Sequence, residues 1–74
     1  MTTGSYSDDR ARPLTPRMRQ VLAGADAGET AAATARRLGV AAETVKVVRA
    51  AARARVGEPT TVQAAAIARQ AGLL

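Results

Sequence analysis

Ala35-Arg36-Arg37-Leu38-Gly39-Val40-Ala41-Ala42-Glu43-Thr44-Val45-Lys46-Val47-Val48-Arg49, residues 35–49, is the stretch whose reading decides the fold. An apolar helical stripe ends at Leu38, and a second begins at Val45. Between them Gly39 sits where a closing left-handed residue is wanted, a conformation that a β-carbon disfavours. Gly39-Val40-Ala41 therefore reads as a tight turn between two helices. Upstream, Thr30 caps the first of the pair, Ala31 to Leu38, with Ala31, Ala35 and Leu38 on its apolar side. Downstream, the second runs from about Ala42 to Arg55, with Val45, Val48, Ala52 and Val56 inward, and Gly57-Glu58-Pro59 ends it. The other side of that helix is read as Glu43, Lys46, Val47, Arg49, Ala50 and Arg53. Two helices joined by a short glycine turn, the second basic on one side, have the outline of a helix-turn-helix. The turn holds the helices near a right angle, so the second can enter a groove about 12 Å wide. The bland alternative is an ordinary helical hairpin in a bundle.

Charge separates these readings. The formal net charge is +5. Residues 1–13, 14–35 and 56–74 each balance to zero, so the whole excess lies in residues 36–55: Arg36, Arg37, Lys46, Arg49, Arg53 and Arg55 against Glu43. A positive field concentrated on the helix after the turn suits a polyanion.

Outward from this motif, Thr15-Pro16 starts an earlier helix that carries Met18, Val21, Leu22 and Ala25 on one face and ends at Gly28. Thr60 or Thr61 caps a fourth helix with Val62, Ala65, Ile67 and Ala68, which stops at Gly72. No strand pattern occurs, so the fold class is all-α, with four helices. Residues 1–13 are polar and aperiodic and read as a disordered, flexible arm; residues 14–74 read as one helix-turn-helix domain. At 74 residues, with no Phe or Trp and with alanine supplying much of the 47% hydrophobic content, the core must be thin and the helices close together.

The chain has no Cys and no His, which removes disulfides, thiolate or imidazole metal sites and the usual nucleophile–base pairs. Ser5, Ser7, Asp8 and Asp9 all fall in the arm, where no geometry is held. An enzyme is not expected, nor a cofactor, metal or small-molecule ligand. No apolar stretch reaches membrane-spanning length and no signal peptide is read, so no membrane partner is expected and the cytoplasm is the default location.

The sequence resembles the LuxR-type (FixJ/NarL-type) helix-turn-helix domain. The resemblance rests on Leu14-Thr15-Pro16-Arg17, Gln20-Val21-Leu22-Ala23, Ala35-Arg36-Arg37-Leu38-Gly39-Val40, Glu43-Thr44-Val45-Lys46-Val47, Gly57 and Gly72-Leu73-Leu74. It covers residues 14–74, and Arg-Arg-Leu-Gly-Val followed by Thr-Val-Lys-Val is its most specific block. The chain also departs from the family pattern. Met18 stands where Glu is usual. Gly24, Ala25 and Thr34 stand where aliphatics are usual, which implies an eroded core. Ala41 replaces a capping Ser, Val48 a histidine and Ala52 an isoleucine, and the segment after Gly57 is about one residue short.

The resemblance implies double-stranded DNA as partner and transcription regulation as role. It implies base contacts from the positions of Lys46, Val47 and Ala50. Lys46 has the reach for guanine or phosphate, Val47 suits a thymine methyl, and Ala50 offers apolar contact alone. Arg49 and Arg53, beside that face, are candidates for guanine or phosphate. Thr30 and Thr44 near helix N-termini, with Arg17, Arg36 and Arg37, are candidates for the DNA backbone. The family's fourth helix implies a homodimer through Val62, Ala65, Ile67 and Ala68, with packing inside the monomer the alternative for these residues. No separate signal-receiving domain is read here. Three other readings stay open: a sigma-region-like module acting through RNA polymerase, an architectural or recombination accessory, and a protein-interaction module that has lost readout.

Overall fold

A computed structural model of the chain describes residues 14–74; the arm read over residues 1–13 lies outside the described residues. Four helices follow in order: α1 Pro16–Asp26, α2 Ala31–Leu38, α3 Ala42–Val56 and α4 Thr61–Gln70. The described residues contain no strand.

Short-range chemistry sets the boundaries. Thr15, Thr30 and Thr60 each precede a helix with extended backbone. Their hydroxyls accept from the amides of Met18 (3.1 Å), Ala33 (3.0 Å) and Gln63 (3.1 Å), so each satisfies a donor that the first turn leaves unpaired. Thr60, rather than Thr61, is thus the cap of α4. Ala41 occupies the same position before α3 and offers no side-chain acceptor. At the other end of α2, Gly39 adopts φ 73°. The Val40 amide then donates back to the Ala35 carbonyl at 3.0 Å, closing the helix and turning the chain toward α3.

The helices α1 and α3 each touch every other helix, whereas α2 and α4 do not meet. The core accordingly has two parts. On one side Val21, Ala35 and Val45 are buried, with Ala31, Leu38, Val40 and Ala42 half-covering them. On the other, Leu14, Met18 and Leu22 meet Ala52, Ala64, Ala65 and Ala68. Val48 packs against both.

The apolar stripes expected for α1, α2 and α3 face these clusters. α4 differs. It buries Ala64, Ala65 and Ala68 completely and leaves Val62 (69%) and Ile67 (42%) exposed. Ala65 and Ala68, expected at a dimer surface, are therefore interior residues of the monomer. Leu14, Met18 and Leu22 fill the space under α4, and only methyl-sized side chains allow the helix to approach.

The eroded core expected at Gly24 and Thr34 also needs correction. Thr34 is wholly buried, and its hydroxyl donates to the Glu29 carboxylate at 2.8 Å. A β-carbon at Gly24 would stand 2.5 Å from Thr34 Oγ1 and 2.6 Å from Glu29 Oε1. Gly24 is thus the notch that admits a hydrogen-bonded pair where aliphatics were expected.

Two stability predictions follow. Alanine improves helix propensity by about 1 kcal/mol over glycine, but the Thr34 hydroxyl sits on a short, buried side chain that cannot swing away. Gly24→Ala is expected to destabilise by about 1–3 kcal/mol. In a Thr34→Ala background the penalty should shrink by at least about 1 kcal/mol, read as non-additivity in urea unfolding. Ala41→Ser should raise stability by about 1 kcal/mol by supplying the missing cap, seen as a higher urea midpoint with unchanged slope.

Candidate nucleic-acid interface

A helix turns about 100° per residue, so Val45 and Ala52, both buried, define the inner side of α3. Opposite them lie Glu43, Lys46, Val47, Ala50, Ala51 and Ala54, all exposed. Val47 is 63% exposed and stands beside Lys46 on this side of the helix. The Lys46 ammonium stands 3.9 Å from the Glu43 carboxylate, a loose surface pairing that leaves it available. Thr44 is exposed near the start of the helix. These side chains share one end of α3, beside the Gly39 turn.

Arg49 and Arg53 lie on the same side of α3 as Lys46 but are bonded within the fold. Arg53 follows Ala52 by one residue just as Lys46 follows Val45, and Arg49 follows Val45 by four, so the three cations lie within about 60° of each other around the axis, on one flank of the buried stripe. Arg49 is half-buried; its Nη2 donates to the Glu29 carbonyl at 3.1 Å, and its Nε is buried without a protein acceptor. Arg53 is half-buried and donates through Nη1 to the Thr61 hydroxyl at 2.9 Å. Arg37 grips the Glu29 carboxylate with Nη2 at 2.9 Å and Nε at 3.0 Å. Arg55 lies toward the far end of α3, lining a cavity of about 170 Å³ with Leu14, Val56, Ile67, Ala68, Ala71 and Leu73. Lys46, Arg49 and Arg53 therefore share one flank of α3, where Arg49 and Arg53 are engaged within the fold, while Arg55 lies on the other side and Arg36 and Arg37 on α2. Arg36 and Arg17 are exposed and have no partner among the described residues. Thr30 is exposed, its hydroxyl committed to capping α2.

Sequence reasoning passed over Glu29. Its amide donates to the Gly24 carbonyl at 2.9 Å, its carboxylate accepts from Thr34 and Arg37, and its carbonyl accepts from Arg49. One residue thus ties together α1, α2 and α3. Hydrogen bonds from Arg37, then from the Thr34 hydroxyl, hold its carboxyl below the ordinary value of 4.5, while Arg37 is pushed above its own usual value. A local signal for part of this existed in the acid–base spacing of Glu29 and Arg37. Ala54 on the outward face was also passed over, although helical spacing from Val47 reaches it.

A carboxyl with a depressed folded value stabilises the fold above its unfolded value and loses that contribution as pH falls through the folded one. Glu29→Gln should therefore lower the thermal midpoint at pH 7. The gap to wild type should close as pH drops below 4.5, the ordinary carboxyl value. Thermal unfolding followed by circular dichroism at both pH values checks this.

A family model described as bacterial regulatory proteins, luxR family, matches residues 12–68, well over half of the chain. No curated protein and no solved structure gives a match. The chain belongs to the luxR family, and α2–turn–α3 is its helix-turn-helix.

Proposed function

We propose that this luxR-family chain is a non-enzymatic, sequence-specific binder of double-stranded DNA, a transcription regulator of the cytoplasm that sets α3 in the major groove. The observation that carries the reading is the exposed Lys46–Val47 pair beside the Gly39 turn, on a helix that the family match includes. Lys46 donates to guanine O6 or N7, Val47 meets a thymine methyl, and Ala50 adds apolar contact. Arg17, Arg36 and Thr44 face phosphates, and the amide end of α2 at Thr30 adds a helix N-terminus. Arg37 reaches a phosphate only by leaving Glu29. Arg53 spends one donor on Thr61 and keeps its others for a phosphate.

Val62 and Ile67 support a homodimer. With Gln63, Ala66 and Gln70 they lie on the outward part of α4, where the one charged residue, Arg69, is paired with Asp26. A dimer would bind an approximate inverted repeat. No helix among the described residues is long and apolar enough to cross a membrane.

A second reading has its own support. Ala50, Ala51 and Ala54 leave most of the outward face of α3 with methyl groups alone, which suits a protein partner such as RNA polymerase.

Selecting bound fragments from genomic DNA, followed by a salt titration on the winners, decides between the two. Each cation meeting a phosphate steepens the logarithmic salt dependence by about 0.9. With Arg17, Arg36 and Lys46 available, a slope of about −2 to −4 per bound chain is expected. Lys46→Ala should lose about 1–3 kcal/mol of discrimination at one base position, whereas Arg36→Ala should weaken all sequences and reduce the slope by about 1. Equal, feeble binding to selected and random duplexes at low salt would replace DNA with a protein partner.

A further inference from the structure

Arg49 reaches across 20 residues of sequence to the Glu29 carbonyl. That carbonyl lies one residue before Thr30, the cap of α2. The acceptor is itself held from two other directions, by the Glu29 amide on the Gly24 carbonyl and by the Glu29 carboxylate on Thr34 and Arg37. The Gly24 notch makes room for this arrangement, since a β-carbon there would meet both Thr34 and Glu29. The guanidinium is sunk far enough that Nε is out of contact with solvent and has no protein acceptor. A cation in that position gives up hydration for geometry. It sits beside the outward face of α3, yet its bond points away from it, to the start of α2.

We propose that Arg49 is a positioning residue for DNA binding, an assignment that rests on the DNA reading above. By holding the Glu29 carbonyl, it fixes the capped start of α2 against α3. Phosphate contacts at α2 and base contacts at Lys46 and Val47 are then made in register. Its charge is not used on the DNA. The cores on either side of α3 leave this edge without large side chains: Thr34 and Ala35 are the buried residues of α2, and Gly24 faces them from α1. The arginine supplies the stiffness that aliphatic packing would otherwise provide.

The test uses the full chain and two probes of about 30 bp, a duplex selected by the wild type and a random-sequence duplex. Binding is followed by fluorescence anisotropy from about 50 to 200 mM salt. Arg49→Gln and Arg49→Met are compared with Arg49→Lys, and Arg36→Ala serves as the phosphate-contact control. Circular dichroism establishes that each variant is folded at the assay temperature; Arg49→Met keeps the apolar stem should Arg49→Gln fail to fold.

Gln and Met are expected to weaken binding to the selected duplex at least about tenfold, with much less effect on the random duplex and a salt slope changed by less than about 0.4. Lys, which can reach the same carbonyl, should restore most of the selectivity. A slope shallower by about 0.9, as for Arg36→Ala, would make Arg49 a phosphate contact and overturn the proposal. Unchanged affinity with a lowered thermal midpoint would make it a stabilising residue only, and would also overturn it. A wild-type chain for which selection yields no duplex bound better than the random one overturns the DNA reading and this assignment together, so the two failures are distinguishable.

Discussion

Val21 and Leu22 are neighbours on α1, about 100° apart around its axis, and both are fully buried. Each serves a different half of the core. Val21 meets Ala35 and Val45, which joins α1 to the helix-turn-helix. Leu22 meets Ala52, Ala64, Ala65 and Ala68, which joins α1 and α3 to α4. Helices α2 and α4 never touch, so these two side chains are the common support for both. The buried residues that α4 brings to them are all alanines. Alanine contributes little buried area per residue, and the remedy is close approach, which a larger side chain in α4 would prevent.

Where the apolar core runs out, a polar one takes over. Glu29 presents an amide to α1, a carboxylate to α2 and a carbonyl to α3, and all three are engaged. Such groups are costly to bury unless they are paired. Here the glycine notch, the Thr34 hydroxyl and two arginines supply the partners, with the Arg49 Nε the one buried donor left over. The pairing also changes what charge means in this protein. Six cations lie between Arg36 and Arg55, but Arg37, Arg49 and Arg53 have work inside the fold. A count of positive residues overstates the field available to a nucleic acid. The outward face of α3 is left with Lys46, Glu43 and a series of methyl groups, and base selection through it would draw more on apolar contact than on hydrogen bonding.

Much of this was open to reading in one dimension. Helix number, the Thr15 and Thr30 caps, the Gly39 turn and the inward stripes of α1 to α3 all depend on residues within about four positions of each other, where chain geometry settles neighbours in advance. Lys46 and Val47 were legible for the same reason, as residues a fixed rotation away from Val45. The luxR-family match agrees with that local grammar.

Tertiary structure decided the rest, because it concerns which surfaces meet. Periodicity showed that α4 has apolar residues; the space left by Leu14, Met18 and Leu22 determined that alanines would enter and that Val62 and Ile67 would stay outside. Composition counted arginines; only the position of the α1–α2 loop, 20 residues upstream of Arg49, turned one of them inward. A side chain's own sequence neighbourhood fixes its direction on a helix. Whether an acceptor waits there depends on the packing of other helices, and no local pattern encodes that.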